Sequence, residues 1–191
     1  TIVDKKQAPV KENIMVGKDV DLYQIPIMRH HEMDGGPYIV LSTITKDRKS
    51  GIYNCSYHRM EVKSKNSTAL YASPRHLWKI YKDYEENNME MPVATVLGHH
   101  PAYHMGACYS GPFEVSEYDV IGGYLGEPLR LVASETFGED LLIPADAEIV
   151  IEGVLKPGKR VVEGPFGEAP GYLGPQRYTT CVDYEVRAIN Y

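Results

Sequence analysis

From Tyr178 to Ala188 the chain alternates two kinds of side chain. Tyr178, Thr180, Val182, Tyr184, Val186 and Ala188 interleave with Thr179, Cys181, Asp183, Glu185 and Arg187. A repeat of two sends successive side chains to opposite faces, which is a strand in a sheet with one covered face. Residues 38–45, 52–62, 91–97, 129–133 and 147–155 are apolar or β-branched and are predicted strands as well, with a turn at residues 47–51. Two helices are expected. Ser73 and Pro74 supply an N-cap and a first-turn proline, and Leu77, Ile80, Tyr81 and Tyr84 then share one face. Ser116 with Asp119 resembles a capping box opening a second helix through Val120 and Tyr124, stopped near Gly126. Many strands with few helices predict a β-barrel or sandwich with helices packed outside.

A chain of 191 residues with 43% hydrophobic content is large enough for one domain with a real core. The net charge of -6 and the lack of a Lys/Arg stripe argue against a nucleic-acid partner. No apolar run is long enough to span a bilayer, and the polar start is no signal peptide. Cys55, Cys108 and Cys181 form no C-x-x-C pair, so reduced thiols and a cytoplasmic location are expected. The first residue is threonine and the last segment reaches Tyr191 inside a strand-like pattern, the mark expected of a piece of a longer polypeptide. Residues 1–18 read as an N-terminal extension or linker, and residues 19–191 as one domain.

Chemistry concentrates first in Glu163-Gly164-Pro165-Phe166-Gly167-Glu168, which runs on through Ala169-Pro170-Gly171-Tyr172. Glycine permits close approach and proline forbids helix, so two carboxylates are presented on a stiff loop. Such a loop suits one acid held ionised and one carrying a proton, the alternative being a turn with two solvated acids. In Asn54-Cys55-Ser56-Tyr57-His58-Arg59, Asn54 and Arg59 are five apart and fall on opposite faces of an ideal strand. For both to reach one site the strand must bulge or end near Ser56 to His58; the alternative is an exposed polar strand end. His76, beside Arg75, lies in the first turn of a helix, where free N–H groups seat phosphate and a neutral imidazole can bind a metal. Glu117 follows the Ser116 cap, where dipole compensation alone would justify an acid. His100, His104 and Cys108 fall at i, i+4 and i+8, with His99 adjacent, and invite a zinc reading. Pro101 and Gly106 weaken that helix, and a loop packed near a cofactor is the alternative. His30-His31 receives no role.

The order Asn54, Arg59, His76, Glu117, Glu163, Glu168 resembles the UbiD-type decarboxylase family. Asp34-Gly35-Gly36-Pro37-Tyr38 and residues 143–153, IPADAEIVIEG, add to the likeness. It runs from about Asp19 to the C-terminus and matches that family's central flavin-binding domain, without the family's N-terminal portion and C-terminal domain. The resemblance implies a mainly β fold with flanking helices, a split β-barrel of the flavin-reductase-like FMN-binding type. It implies prenylated FMN, with Asn54, His76 and Glu117 holding Mn2+ or Mg2+ against the cofactor phosphate. Asn54, Cys55, Ser56, Tyr57, His58, Arg59 and Arg75 would line the flavin, and residues 106–109 would place carbonyls near K+. Catalysis would fall to Glu163, Arg59 and Glu168, through a covalent adduct between cofactor and substrate. Carbon dioxide would leave an aromatic, heteroaromatic or α,β-unsaturated acid, most simply a phenolic one, with Glu168 as the proton donor. A flavin prenyltransferase would supply the cofactor, and the full-length protein would be a homo-oligomer. His58 stands where the family more often has tyrosine. A non-catalytic flavin- or nucleotide-binding barrel, or an inactive fragment, is the other reading.

Overall fold

The computed structural model describes residues 1–173 and 177–191. Nine strands are present among them: β1 Ile14–Val16, β2 Tyr38–Lys46, β3 Tyr53–Ser64, β4 Ser67–Leu70, β5 Met91–Leu97, β6 Leu131–Ser134, β7 Gly138–Pro144, β8 Ile149–Glu163 and β9 Tyr178–Asn190. The main sheet runs β1-β9-β4-β3-β2-β5-β8, and β8 pairs again with β9. Six strands therefore close into a barrel, which leaves no free edge around its circumference. The long strand β9 makes this possible. Along one side it pairs with β8, and along the other with β4 through Val182 and Glu185 and with β1 through Ala188 and Asn190. β6 and β7 form a separate hairpin. The expected barrel with outside helices is what the chain builds.

Helix α1, His76–Glu86, buries Leu77, Ile80, Tyr81 and Tyr84, the face read from their spacing. It starts later than Ser73, however. Ser73 O accepts from Arg75 N at 2.7 Å, so Pro74 lies in a tight turn and Arg75 takes the extended cap position. Helix α3, Glu117–Leu125, is capped by Ser116, whose side chain accepts from Tyr118 N, and ends at Gly126 in the left-handed conformation. Helix α2, Pro101–Ala107, forms despite its proline because Pro101 takes a first-turn position, where no N–H is needed. α1 packs into one apolar cluster with β3, β8 and β9, while α2 and α3 pack into a second with Ile44, Cys55 and Val132.

The single covered face expected for β9 is incomplete. Cys181 and Asp183 are buried too, because Asp183 meets Lys159 and Ser67 at 2.8 Å and Cys181 faces Glu163. Strand β8 continues past Leu155 and delivers Glu163 as its last residue.

Residues 1–18 lie against the barrel. Ala8 and Val10 enter the second core, and Asn13 and Tyr191 exchange backbone hydrogen bonds. Lys11 is buried against Glu152, 3.4 Å away, and Asn190, 2.9 Å away. Glu152, fully buried, also accepts from Ser134 Oγ, Asn190 Nδ2, Glu135 N and Thr136 N. One carboxylate thus ties the N-terminal segment, the β6–β7 hairpin and the β8–β9 pair together. The three cysteines carry free thiols, and no helix among the described residues is long and apolar enough to cross a membrane.

Two expectations follow from these ion pairs. Glu152→Ala strands the Lys11 ammonium and should cost about 3–5 kcal/mol in urea denaturation. Lys11→Met should cost less, since Glu152 keeps four other donors. On the outside, Glu85 joins α1 to the β8 hairpin through Arg160, Lys82, Tyr81 and Gly158 N. Burial alone would raise its pKa, but those donors together hold it down at about 2. A depressed carboxylate contributes stability above its unfolded pKa and loses it as pH falls through the folded one. Glu85→Gln should therefore flatten the loss of stability between pH 4.5 and about 2, read by acid titration of the melting temperature.

Candidate active site

Glu163 ends β8 and the next five residues form a loop that other elements pin from below. Glu61 accepts from Gly164 N at 3.0 Å, and buried Asp34 accepts from Gly167 N at 2.7 Å and His31 N at 2.8 Å. Pro165 O receives Gly35 N at 2.8 Å and the Tyr38 hydroxyl at 3.3 Å, while the rings of Tyr38 and Phe166 pack 4.6 Å apart. A Cβ on Gly35 would sit 2.6 Å from Gly164 O, and one on Gly167 would meet the His31 ring. The loop is rigid through this close fit. Asp34, Glu61 and His31 had no role assigned from the sequence. The Asp34-Gly35-Gly36 turn was the available signal, since an acid beside two glycines can accept from nearby backbone N–H groups.

Arg59, on β3, meets both acids. Nε lies 3.0 Å from Glu163 Oε1, Nη2 3.4 Å from Glu163 Oε2, and Nη1 2.5 Å from Glu168 Oε1. The guanidinium faces the rings of Tyr71 at 4.5 Å and of Phe166 and Tyr178 at 4.9 Å. Burial by itself would lower the Arg59 pKa, but hydrogen bonds and charge from Glu163 outweigh it and the net shift is upward. Arg59 is a permanent cation. The two acids differ in setting: Glu163 is fully buried and gripped twice, whereas Glu168 is held once and its side chain is 27% exposed. One guanidinium thus meets two carboxylates, and Glu168 is the one open to its surroundings.

A cavity of about 770 Å³ opens beside this network. Asn54, Ser56, Tyr57, His58, Arg75, His76 and Glu117 line it, with residues 107–111 opposite. Glu117 Oε2 accepts from Asn54 Nδ2 at 3.3 Å and Cys55 N at 3.0 Å, and burial raises its pKa. His76 stands edge-on to Phe113 at the start of α1. His58 is buried between Tyr71 O, 3.2 Å from Nδ1, and Ser56 Oγ, 2.9 Å from Nε2; burial pushes its pKa down to about 4. The Cys55 side chain instead enters the second core, 3.3 Å from the Tyr103 hydroxyl, and its thiol is pushed up to about 12 by burial. Cys55 is therefore not part of the cavity lining, and its backbone N–H serves the site only by donating to Glu117.

The expected bulge in β3 is not formed. Its register with β2 is unbroken from Tyr38↔Glu61 to Lys46↔Tyr53, and the irregularity falls later, between Val62 and Ser64. Asn54, Ser56 and His58 thus share one face and Arg59 takes the other. The six resemblance residues form two adjoining clusters rather than the rim of one cavity. Tyr71 links them: its N–H donates to Arg59 O, its carbonyl faces His58, and its ring covers Arg59.

The histidine-rich helix has other work. His100 Nδ1 caps α2 at Ala102 N, and His104 Nδ1 lies 2.7 Å from the Tyr57 hydroxyl. Among the described residues no group of His, Cys, Asp and Glu has metal-holding geometry, so zinc has no support there. Gly106 O accepts from Tyr109 N in the turn that ends α2.

The family profile described as UbiD, 3-octaprenyl-4-hydroxybenzoate carboxy-lyase Rift-related domain, matches residues 1–191. The phenolic acid decarboxylase of Bacillus subtilis is 35% identical over 91% of this chain, which covers 37% of that protein. The anhydromevalonate phosphate decarboxylase of Methanothermobacter thermautotrophicus is 34% identical over 86% of this chain and 40% of its own length. Among solved structures, the UbiD-class enzyme HmfF from Pelotomaculum thermopropionicum, in complex with prFMN, superposes with a TM-score of 0.94 at 38% identity. It covers all of this chain and 44% of its own. The chain spans well under half the length of the relatives it matches. With that barrel and that order of acid, arginine and imidazole in hand, the chain belongs to the UbiD family and constitutes its Rift-related domain.

Proposed function

We propose that this domain supplies the cofactor seat and the acid–base groups of a prenylated-FMN-dependent carboxy-lyase. The observation that carries the reading is Arg59 held between a buried Glu163 and a half-open Glu168. A non-catalytic flavin- or nucleotide-binding barrel would need the cavity but not this second acid. The cavity is within the usual size for a cofactor site. Asn54, His76 and Glu117 offer amide, imidazole and carboxylate, a donor set suited to Mn2+ or Mg2+. Arg75 and His76, at the N-terminus of α1, would receive the cofactor phosphate. When bound, prenylated FMN supplies the electron-accepting centre that no side chain offers.

The protein groups would then act as follows. Spare N–H groups of Arg59 hold the substrate carboxylate, and the aromatic rings around it keep the guanidinium plane fixed. The bond to the carboxylate carbon breaks, carbon dioxide leaves, and the electron pair stays behind. Glu168 gives its proton to the vacated carbon and is recharged from solvent; in carboxylation it takes that proton away. Glu163 holds Arg59 in register. Relatives bearing the names of phenolic acid and of anhydromevalonate phosphate decarboxylases support loss of carbon dioxide as the shared reaction. A phenolic acid is the first substrate class to screen, within the wider set of aromatic, heteroaromatic and α,β-unsaturated acids. The reading includes K+ beside residues 106–109, homo-oligomeric assembly, cofactor supply by a flavin prenyltransferase and a cytoplasmic setting, the last supported by three free thiols.

The test is the intact protein co-expressed with a flavin prenyltransferase. Glu168→Gln should retain the altered flavin absorbance while turnover falls by about 10²–10⁴, the usual weight of general acid catalysis. Hydrogen–deuterium exchange at the substrate carbon should vanish with it. Full activity in this variant contradicts the role given to Glu168.

A further inference from the structure

Ser56 has one hydroxyl proton and two acceptors within reach. Its Oγ lies 2.9 Å from His58 Nε2 and 3.1 Å from Asn54 Oδ1. Which of them receives the proton follows from the far side of the imidazole. His58 Nδ1 faces Tyr71 O at 3.2 Å, and a carbonyl only accepts, so Nδ1 carries the hydrogen. The ring is buried and stays neutral, which leaves a lone pair on Nε2. Ser56 donates to it. Ser56 then turns a lone pair toward Asn54, where it repels Oδ1 and attracts the amide nitrogen.

The other side of Asn54 completes the argument. Nδ2 stands 3.3 Å from Glu117 Oε2. A half-turn of the carboxamide, the orientation Ser56 favours, brings Nδ2 to Ser56 and Oδ1 to the Glu117 carboxylate. Two oxygens side by side, one of them anionic, are what a divalent cation requires. We infer that His58 is a positioning residue for the cation seat: by holding the Ser56 proton, it frees the Asn54 carboxamide to present oxygen beside Glu117. The inference rests on the reading of Asn54, His76 and Glu117 as cation ligands, and extends it to two residues that touch no cation.

The measurement is Mn2+ affinity, read from the electron paramagnetic resonance of free Mn2+ titrated into intact, metal-stripped protein with FMN present. In His58→Leu the Ser56 proton returns to Asn54 Oδ1 and occupies it. Affinity should fall roughly 10- to 100-fold, the usual cost of losing a partner one shell beyond a ligand. Adding Ser56→Ala to that variant removes the competing proton and should restore most of the affinity. A merely structural role for His58 predicts a double variant at least as weak as the single one. His58→Gln keeps an acceptor oxygen for Ser56 and should bind near the parent value, a second route should the leucine variant fail to fold. Unchanged binding in His58→Leu, or a double variant as weak as the single, overturns the inference and leaves the cation site standing. Parent-like binding in Asn54→Ala overturns the cation site and the inference together.

Discussion

The site depends on one uninterrupted strand. β3 is held against β2 through nine consecutive pairs, and this fixes which way each of its side chains points. Asn54, Ser56 and His58 face the cavity, which Tyr57 also borders, while Cys55 enters the second core and Arg59 turns to the acids. A one-residue slip would exchange the two sets and dismantle both clusters at once. The closed barrel prevents that slip, since β3 has partners on both sides and β9 locks the ends of the circle.

Around this strand the protein buries charge only where it can satisfy it. Arg59 with Glu163, and Lys11 with Glu152, are ion pairs with side chains at most 10% exposed. Removing such charges from water is costly, and the cost is offset only when every remaining donor and acceptor is used. Glu152 meets that condition inside the fold, accepting five hydrogen bonds, and its effect is architectural. Glu163 meets it at the mouth of the site, where its effect is to hold a guanidinium still. Glu168 is left with a single side-chain contact, to Arg59, and an open side.

Local signals made much of this legible in the sequence. Period-two alternation gave β9, and apolar or β-branched runs gave β2, β3, β5, β6 and β8, with β5 at its observed bounds; the apolar face of α1 was readable from helical spacing. The cap at Ser116 and the stop at Gly126 were readable because their geometry lies within a few neighbouring residues. What was not legible is tertiary. β4 has only four residues and β7 opens on the polar Gly138-Glu139-Asp140, and they exist because β9 and β6 pair with them. The bulge in β3 was wrongly required, because Asn54 and Arg59 were expected on a common rim. In the fold the cavity and the acid network lie on the two sides of the strand, joined by Tyr71. Asp34 and Glu61 are 133 and 103 residues from the loop N–H groups they accept from, so no window of sequence could show the contact. The start of α1 was displaced for a local reason, the turn at Pro74, that cap statistics do not distinguish from a helix start.

The central claim is that β3 serves one reaction from both faces, with a cation at Asn54, His76 and Glu117 and a proton at Glu168. Anomalous diffraction at the manganese edge, from crystals of the intact protein grown with prenylated FMN and Mn2+, tests it most directly. A single peak within coordinating distance of those three side chains is the result predicted. A peak among His99, His100 and His104, or none beside Glu117, would contradict it.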